Sequence, residues 1–539
     1  MKRILHMAFF SLLVSNIFSQ SLVRGPYLQS LLPTSVKILW RTDIATPYII
    51  HFGTDLNNLD QMVSSDSLET DHIAYLPNLT ANTTYYYKLI SGSNVLAGGN
   101  EQHHFKTAPE FGSTQQFRFW ALGDFGARND DQIKVRRSFL NYTAEKPADF
   151  WIWLGDNTYT DGKDYEYQLN VFSSDYGYDS IFRFLPFYPT PGNHDYGSVT
   201  MYPSGLHTGP YFNIVEVFKN GEAGGEASNT EKYYSYDYGN VHFISLNSET
   251  YSEVLLLNQN MKNWLIKDLQ KNVQPWTIVY WHQPPFSKGS HDSDASYEVI
   301  MKSMRENYLP ILEEYGVDVV INGHSHVYER SRLQHGHYGK SFTFDASTHV
   351  IQGGSGNIDT DGAYTKPLTG DSAKIGTVYI VCGNGAKSET NPPLDHPVFY
   401  ISEGGDNVCG SMIVDVEDKR MDIRYLKSTG EVFDYFTFLK YIPVGVQQQI
   451  VFEKLNIYPN PGTGKYMVEL EAKESLNSEI WLVDHSGRSI SQLYVGLLPI
   501  GKSSIQIETP PGLSSGQYYL QLKTEKGDAK AIPFMNVAE

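Results

Sequence analysis

The chain has 539 residues, of which 41% are hydrophobic and 19% are charged, with a net charge of -18 and a pI of about 5.4. This length exceeds what one hydrophobic core supports, so we expect about three domains, and the composition excludes a disordered chain. So acidic a protein is not a scaffold for long nucleic-acid backbones, although it can bind a small anion where metal ions dominate the local field.

Residues 1–19 have the order of a secretory signal peptide. Lys2 and Arg3 precede an apolar stretch from Ile4 to Val14, and small and polar residues follow around Ser19. The stretch is too short for a typical membrane span, and no later run reaches about 20 apolar residues. The amino terminus therefore predicts export.

The chain contains two cysteines, Cys382 and Cys409. In an exported protein they can form a disulfide, and two buried free thiols are the other open interpretation. Two cysteines without CxxC spacing cannot build a thiolate metal site. Any metal ion would therefore have nitrogen and oxygen ligands.

Residues 21–108 are predicted to form a small β-sandwich. Short alternating runs such as Ser35–Trp40 and Thr84–Leu89 are separated by turn residues, and no helical period intervenes. The segment contains no cluster of candidate catalytic residues.

Residues 109–440 alternate between strands and helices, which predicts an α/β sandwich with mixed sheets and flanking helices. The helices are expected at Gln132–Tyr142, Asn260–Gln270 and Tyr297–Tyr315. The main strands are expected at Phe117–Leu122, Phe150–Leu154, Phe187–Thr190, Val241–Leu246, Thr277–Trp281, Val317–Ile321, Val378–Val381 and Gly410–Val414. A Gly-rich, irregular segment from Tyr196 to Lys232 is expected to overhang the site as a lid.

A linker is predicted at residues 441–453, where Pro443 and a run of glutamines interrupt the pattern. Residues 454–539 again show short strands, for example Tyr518–Leu522, and predict a second all-β domain. The expected architecture is thus a central α/β domain between two all-β domains.

Polar side chains follow five of the central strands, where layered α/β proteins place ligand sites. If Ser325 is extended, the flanking His324 and His326 point to opposite sides of the backbone and can serve two neighbouring metal ions. His335 and His337 repeat this spacing, but no apolar strand precedes them, so we assign them to a surface loop. The residues that follow the strands are Asp124, Asp156, Tyr159, Asn193, His282, His324 and His326.

Two cations about 3.5–4 Å apart need a shared anionic ligand. A carboxylate can bridge two ions, whereas imidazole and amide groups rarely do, so either Asp124 or Asp156 is the expected bridge. Tyrosine ionises near pH 10 and is a phenolate at neutral pH only beside a strong Lewis acid. Tyr159 therefore points to Fe(III) at one of the two positions.

The segments resemble the five ordered motifs of purple acid phosphatases, a branch of the calcineurin-like metallophosphoesterase superfamily. They are Gly123-Asp124-x-Gly126, Gly155-Asp156-x-x-Tyr159, Gly192-Asn193-His194-Asp195, Val279-x-x-His282 and Gly323-His324-x-His326. Tyr159 selects this branch, and Val327-Tyr328-Glu329-Arg330 resembles the plant-type enzymes. The resemblance covers about Phe117 to Val414.

The resemblance implies a role for each residue. Asp124, Tyr159 and His326 would hold Fe(III), Asp156 would bridge, and a divalent Zn, Mn or Fe ion would be held by Asn193, His282 and His324. His194 would contact the phosphate, and His291 would protonate the leaving group. Plant-type members often carry a second histidine after the position of His291, where this chain has Asp292.

The flanking domains also resemble known modules. The amino-terminal domain is similar to the fibronectin-type module that precedes the catalytic domain of plant-type purple acid phosphatases. Tyr458-Pro459-Asn460-Pro461 and Gly464 resemble the start of the type A sorting domain of the Bacteroidetes type IX secretion system. This implies secretion across the outer membrane, or attachment at the cell surface, with the secretion machinery as a partner.

The leading hypothesis is a secreted acid phosphatase that hydrolyses small phosphate monoesters by attack of a metal-bound hydroxide. A phosphodiesterase or nucleotide pyrophosphatase on the same dimetal core is the first alternative, and the lid would decide between them. A surface binding protein whose central domain has lost catalysis is the second alternative.

Overall fold

The computed structural model describes residues 20–196, 209–250, 259–389, 393–405, 408–442, 452–473, 475–484, 487–524 and 529–538. The predicted signal peptide, most of the predicted linker and the first part of the predicted lid (197–208) lie outside the described residues. The chain divides into two compact units, Met1–Gly362 with Gly376–Thr437, and Ala363–Ile375 with Phe438–Glu539. No described helix combines the length and the apolar character that crossing a membrane requires.

The first part of unit 1 is all-β, as the sequence predicts. Its strands pair antiparallel in the order β1-β2-β4-β5, with β3 beside β2 and β6 beside β4. Alternate residues of these strands face a core that contains Leu39, Ile50 and Tyr87. The strands are β1 (Leu22–Gln29), β2 (Val36–Gly53), β3 (Gln61–Leu76), β4 (Thr84–Ser91), β5 (Asn94–Gly98) and β6 (His104–Lys106).

The rest of unit 1 contains two mixed sheets, which confirms the predicted α/β class. The strands are β7 (Phe117–Leu122), β8 (Phe150–Leu154), β9 (Phe187–Thr190), β10 (Tyr234–Tyr238), β11 (Val241–Ser245), β12 (Trp276–Trp281), β13 (Val319–Asn322), β14 (Tyr328–Ser331), β15 (Leu333–Gln334), β16 (Val350–Gln352), β18 (Val378–Cys382), β19 (Phe399–Glu403), β20 (Gly410–Glu417), β21 (Arg420–Lys427) and β22 (Val432–Tyr441). The helices are α1 (Asp130–Tyr142), α2 (Asp164–Glu166), α3 (Asp179–Phe182), α4 (Pro210–Ile214), α5 (Asn260–Lys271), α6 (Val299–Asn307), α7 (Leu309–Glu314) and α8 (Ala346–His349), with a π-helical turn at Tyr167–Val171 and a 3₁₀ turn at Ser341–Thr343.

The first central sheet has the order β22-β21-β20-β7-β8-β9, and β7, β8 and β9 are parallel. The second has the order β10-β11-β12-β13-β18-β14-β19, and its four strands from β11 to β18 are parallel. The sheets pack face to face through aromatic rings, because Phe243 of the second sheet lies 5.5 Å from both Phe119 and Phe150 of the first. Strands β15 and β16 form a separate pair.

Helices cover the outer faces of the two sheets. Helix α1 is capped by Asn129, whose side chain accepts a hydrogen bond from the Gln132 backbone N–H. Its Phe139 ring stacks on Trp120 of β7 at 3.9 Å. The single helix predicted at Tyr297–Tyr315 is wrong, since α6 and α7 are separate helices that meet at Tyr308. Pro310 lacks an N–H and its ring clashes with the preceding turn, so one helix cannot continue through it.

The described residues of unit 2 are all-β apart from a 3₁₀ turn at Asp371–Lys374, and β17 (Tyr364–Pro367) pairs in parallel with Phe438–Tyr441 at the end of β22. Two antiparallel sheets, β23-β24-β27 and β26-β25-β28-β29, share one apolar core that includes Val468, Leu482 and Leu520. Their strands are β23 (Phe452–Tyr458), β24 (Lys465–Ala472), β25 (Leu476–Val483), β26 (Ser489–Leu498), β27 (Gly501–Glu508), β28 (Gly516–Thr524) and β29 (Ala529–Asn536).

A buried ion pair fastens helix α5 to the second central sheet. His242 of β11 lies between two carboxylates, with its Nδ1 at 2.6 Å from Asp237 and its Nε2 at 2.8 Å from Asp268. Burial alone would lower the pKa of His242, but the hydrogen bonds to both carboxylates raise it to about 9. The stabilising interaction is therefore complete below the unfolded-state pKa near 6.5 and is lost as the pH rises through about 9.

As the pH rises from 6.5 to 9.5, we expect the melting temperature of the wild type to decrease by more than the melting temperature of His242→Gln. The interaction is worth about 3.5 kcal/mol at most, since each unit of the shift from 6.5 to about 9 corresponds to about 1.4 kcal/mol. Calorimetric melting of both proteins across this range measures the difference. Equal slopes against pH in the two proteins would refute the role of His242.

Candidate metal centre

Seven predicted ligands come together at one edge of the two central sheets. The parallel strands β7, β8 and β9 of one sheet and β12 and β13 of the other end at this edge, and each is followed by a ligand loop. The residues of these loops are Asp124, Asp156, Tyr159, Asn193, His282, His324 and His326. Convergence of strand ends explains how residues 200 positions apart, such as Asp124 and His324, become hydrogen-bonded.

Three of these residues adopt left-handed backbone conformations that non-glycine residues rarely take. The φ angles are 58° at Asp124, 49° at Asp156 and 68° at His324. Strained backbone of this kind concentrates at functional sites, where the surrounding structure holds it in place. Gly155 has a φ of 87°, and a Cβ atom there would lie 2.4 Å from Nδ1 of His282, so only glycine fits.

The first group of donor atoms, cluster A, consists of Asp124, Tyr159 and His326. The Tyr159 hydroxyl donates to Oδ1 of Asp124 at 2.8 Å and lies 3.5 Å from Nε2 of His326. The same His326 nitrogen lies 3.5 Å from Oδ1 of Asp124. The three donor atoms, one each from Asp124, Tyr159 and His326, thus lie close together although their side chains come from three different loops.

The second group, cluster B, consists of Asn193, His282 and His324. Nε2 of His282 lies 3.2 Å from Oδ1 of Asn193 and 3.2 Å from Nδ1 of His324. His282 and His324 are buried and, together with Asp156, place their donor atoms within 4.8 Å of one another.

Asp156 lies between the two clusters and presents one oxygen to each. Its Oδ2 lies 3.3 Å from the Tyr159 hydroxyl of cluster A, and its Oδ1 lies 3.3 Å from Nε2 of His282 in cluster B. Of the two carboxylates that the sequence leaves open as the bridge, Asp156 has this arrangement. Asp124 instead accepts a hydrogen bond on its Oδ2 from the His324 backbone at 2.9 Å.

The donor atoms fit two metal ions. Ligand bonds of about 2.0–2.2 Å place neighbouring donors of one ion about 3 Å apart, which matches the separations within both clusters. Cluster A offers a carboxylate, a phenol and one imidazole, whereas cluster B offers an amide and two imidazoles. Hard oxygen donors suit a trivalent ion, and imidazoles suit Zn or another divalent ion.

Hydrogen bonds behind the ligands orient them. Nδ1 of His282 lies 2.9 Å from the Leu154 carbonyl, so this nitrogen carries the proton and Nε2 is free to bind a metal ion. The His194 backbone N–H donates to Oδ1 of Asp156 at 2.8 Å. The donor atoms are thus held in position by the fold.

The site concentrates negative charge. Burial would lower the pKa of His282, but Asp156 raises it to about 10, and the same pairing holds the pKa of Asp156 below its usual range although burial alone would raise it. Burial and the neighbouring Asp124 and Asp156 hold the pKa of Tyr159 well above its usual value. Cation binding must therefore displace protons from His282 and Tyr159, so metal affinity increases with pH.

The two residues expected to act on the substrate lie beside the clusters. The His194 side chain is 35% exposed, its Nδ1 lies 2.5 Å from the Thr160 carbonyl, and its Nε2 lies 3.9 Å from Oδ2 of Asp156. His291 is 34% exposed, and its ring stacks on that of His324 at 3.8 Å. Both rings are therefore accessible at the rim of the metal centre.

Three charged residues near the site were missed by sequence reasoning. Glu298 accepts a hydrogen bond from Nδ1 of His291 at 2.7 Å, Glu389 lies 3.4 Å from Nδ1 of His326, and the Lys387 ammonium lies 4.7 Å from the centre of the Tyr159 ring. Glu389 and Lys387 follow β18, a sixth parallel strand that ends at this edge. The rule that polar residues after parallel strands converge could therefore have predicted that they lie near the site. Glu298 lies in a loop with no pattern to mark it.

Other candidate residues lie elsewhere. His335 is 3.1 Å from Glu313, and the assignment of His337 to a surface loop is wrong, because its side chain is buried against Phe286 with ring centres 5.5 Å apart. An apolar neighbour from a distant loop covers His337, which its local sequence does not reveal. Cys382 and Cys409 are both buried and free.

Comparison with protein families identifies two domains in the chain. Residues 117–328 match the calcineurin-like phosphoesterase family, and residues 456–532 match a secretion system C-terminal sorting domain. The central fold is thus that of a metallophosphoesterase, and it contains the five predicted motifs.

Purple acid phosphatases are among the proteins similar to this chain. Purple acid phosphatase 22 of Arabidopsis thaliana is 29% identical over 48% of this chain and 53% of its own length, and purple acid phosphatase 18 of the same plant is 27% identical over 60% of this chain and 68% of its own. A phosphoenolpyruvate phosphatase of Allium cepa is 25% identical over 63% of this chain and 64% of its own. The chain therefore spans between about half and two thirds of the length of the curated relatives it matches.

Solved structures show the same fold. A purple acid phosphatase isolated from yellow lupin (Lupinus luteus) seeds superposes with a TM-score of 0.58 at 17% identity, over 77% of this chain and 75% of that one. A structure of PhoD superposes with a TM-score of 0.53 at 14% identity, over 76% of this chain and 87% of that one. At these identities the likeness concerns the fold alone.

Proposed function

We propose that this protein is a secreted dimetal phosphatase that hydrolyses phosphate monoesters. The observation that supports this most is the position of Asp156, which presents one oxygen to cluster A and the other to cluster B. A shared carboxylate between two donor sets is what a pair of cations about 3.5–4 Å apart requires. The calcineurin-like phosphoesterase domain and the purple acid phosphatase relatives agree with this activity.

Cluster A would hold Fe(III) and cluster B a divalent Zn, Mn or Fe ion. Two bound ions would supply Lewis-acid activation of water and would offset the negative charge of the phosphate. The left-handed conformations of Asp124, Asp156 and His324 keep the donor atoms in place before any ion binds.

His194 and His291 are assigned to the substrate. Hydrolysis breaks the bond between phosphorus and the ester oxygen, a water oxygen takes that place on phosphorus, and a proton goes to the leaving oxygen. The hydrogen bond from Nδ1 to Thr160 directs the other nitrogen of His194 towards the clusters, where it can donate to a phosphate oxygen. Glu298 fixes the ring of His291 through Nδ1, which leaves Nε2 to deliver the proton to the leaving group.

The C-terminal sorting domain points to type IX secretion, and so to a protein that is released or held at the cell surface. We infer that the substrates are small phosphorylated molecules outside the cell, and that the sorting domain contacts the secretion machinery. Removal of residues 1–19 as a signal peptide completes this export route.

The proposal is tested by metal analysis and by rates on p-nitrophenyl phosphate and bis(p-nitrophenyl) phosphate. We expect two metal ions per chain and a monoester rate at least about tenfold above the diester rate. A preference for the diester would assign the site to phosphodiesterases, and full metal content without hydrolysis of either ester would indicate a binding protein.

The two His-x-His pairs provide a matched control. His326→Asn removes a donor of cluster A, so it should lower the iron content and the rate, whereas His335→Asn alters a histidine outside the site and should change neither. Circular dichroism of both variants checks that the fold is retained. Equal losses in the two variants would refute the assignment of cluster A.

A further inference from the structure

The loop that follows β18, residues 383–389, lies between the metal-ligand loops. Its backbone N–H groups at Gly385 and Ala386 donate to the Gly123 and Asp124 carbonyls at 3.0 and 2.9 Å. A Cβ atom on Gly383 would lie 2.4 Å from the Ser325 carbonyl, so this backbone approaches the His324–His326 loop closely. The β18 loop is therefore fixed relative to both ligand loops.

This loop places one ammonium group at the metal centre. Nζ of Lys387 lies 4.7 Å from the centre of the Tyr159 ring, and the side chain is half-buried. The hydroxyl of Tyr159 belongs to cluster A, so only the Tyr159 ring separates the Lys387 ammonium from the donor atoms of that cluster. An ammonium group at this position has one of two roles. It binds substrate at the open side of the metal centre, or it only covers the Tyr159 ring.

The charges around Lys387 separate these two roles. Lys163, the other lysine next to the Tyr159 segment, is paired with Asp161 at 2.7 Å. Among the described residues of unit 1, which leave out 197–208, 251–258, 390–392 and 406–407, Lys387 has no carboxylate at ion-pair distance, and the nearby Glu389 is directed at His326. A half-buried ammonium without a counter-ion beside an anion-binding site can pair with the anion itself.

The Tyr159 ring also has His194 beside it, with ring centres 4.7 Å apart. His194 is the residue assigned to the phosphate that is transferred. Lys387 and His194 therefore contact the same ring, each at 4.7 Å from its centre, and a substrate with its phosphate at His194 can extend towards the flexible lysine side chain. A simple monoester has no second phosphate group for this ammonium to bind, whereas a diphosphate does.

We propose that Lys387 binds a second phosphate group of the substrate, so that the site prefers organic diphosphates over simple monoesters. This inference rests on the proposed phosphatase function. Lysine suits the task because it is a compact charge on a long, flexible stem, so it can follow substrates of different shape. Lys387 is thus a specificity-determining residue next to the metal centre.

The test compares the metal-loaded full-length wild type with Lys387→Gln, Lys387→Arg and the matched control Lys163→Gln. The measured quantity is the ratio of kcat/KM for release of the terminal phosphate of ADP to kcat/KM for p-nitrophenyl phosphate. Lys387→Gln should lower this ratio at least about tenfold, mainly through the KM for ADP. Lys387→Arg should keep the ratio within about threefold of the wild type, and Lys163→Gln should not change it.

Equal losses on both substrates, or an unchanged ratio, would overturn the proposal, since a lysine that only covers the Tyr159 ring affects both substrates alike. A second measurement needs no turnover. Calorimetric binding of methylenediphosphonate should weaken about tenfold in Lys387→Gln, while binding of inorganic phosphate should not. If the wild type hydrolyses neither ADP nor p-nitrophenyl phosphate, the phosphatase proposal fails, and this binding difference still decides the role of Lys387.

Discussion

Replacing Asp156 by asparagine is expected to release at least one of the two metal ions and to lower phosphatase activity by more than about a hundredfold. Mutation of residues that only hydrogen-bond to metal ligands already lowers metal affinity or activity by about 10–100-fold, and a shared ligand should matter more. Each carboxylate oxygen faces a different donor cluster, at 3.3 Å from the Tyr159 hydroxyl and 3.3 Å from Nε2 of His282. Asparagine offers one oxygen acceptor and one NH₂ donor, so it can serve only one cluster.

Asparagine is also the least disruptive replacement at this position. The φ of Asp156 is 49°, and asparagine tolerates left-handed backbone better than most other non-glycine residues. Metal content by plasma mass spectrometry and the rate on p-nitrophenyl phosphate measure the effect. Asp161→Asn, a change to a partly buried carboxylate nearby that pairs with Lys163, should retain both ions. Two ions per chain with full activity in Asp156→Asn would show that Asp156 is not the bridge.

The second large effect concerns Tyr159 and the colour of the protein. A phenolate bound to Fe(III) gives a charge-transfer band in the visible range, and burial beside Asp124 and Asp156 keeps the pKa of Tyr159 so high that only a strong Lewis acid would ionise it. The wild type should be pink to purple, and Tyr159→Phe should be colourless. Absorption spectra of both proteins, loaded with iron, test this.

Tyr159→Phe removes one oxygen and keeps the ring that contacts His194 and Lys387, so the fold should be retained. Activity should fall only in part, because the other donors of cluster A and the shared Asp156 still hold the ions. Tyr165→Phe, at an exposed tyrosine six positions on, should leave the spectrum unchanged. A colourless wild type with two divalent ions and full activity would exclude the phenolate assignment.

The elements that position the site were predicted from local sequence. Strands β7, β8 and β9 begin and end where short apolar runs predict them, because a strand buried on both faces needs a continuous apolar sequence that stops at a polar turn. Helix α1 was predicted because its amphipathic pattern is a local signal, although it starts two residues before the predicted Gln132. The break between α6 and α7 was missed although Pro310 marks it, since the apolar period continues across it.

The sequence by itself determined which residues could ligate metal, because each ligand follows an apolar strand in a short motif. The ligand chemistry left Asp124 and Asp156 open as the bridge, and the motif resemblance implied Asp156. The position of Asp156 between the clusters is visible only in the tertiary structure, since it depends on how two separate sheets place their strand ends. The tertiary structure also brought Glu298 to His291 and Lys387 to Tyr159, pairs whose partners are seven and 228 positions apart. Local sequence encodes the strands and their turns, but distances between loops follow from packing of the whole core, which no short motif contains.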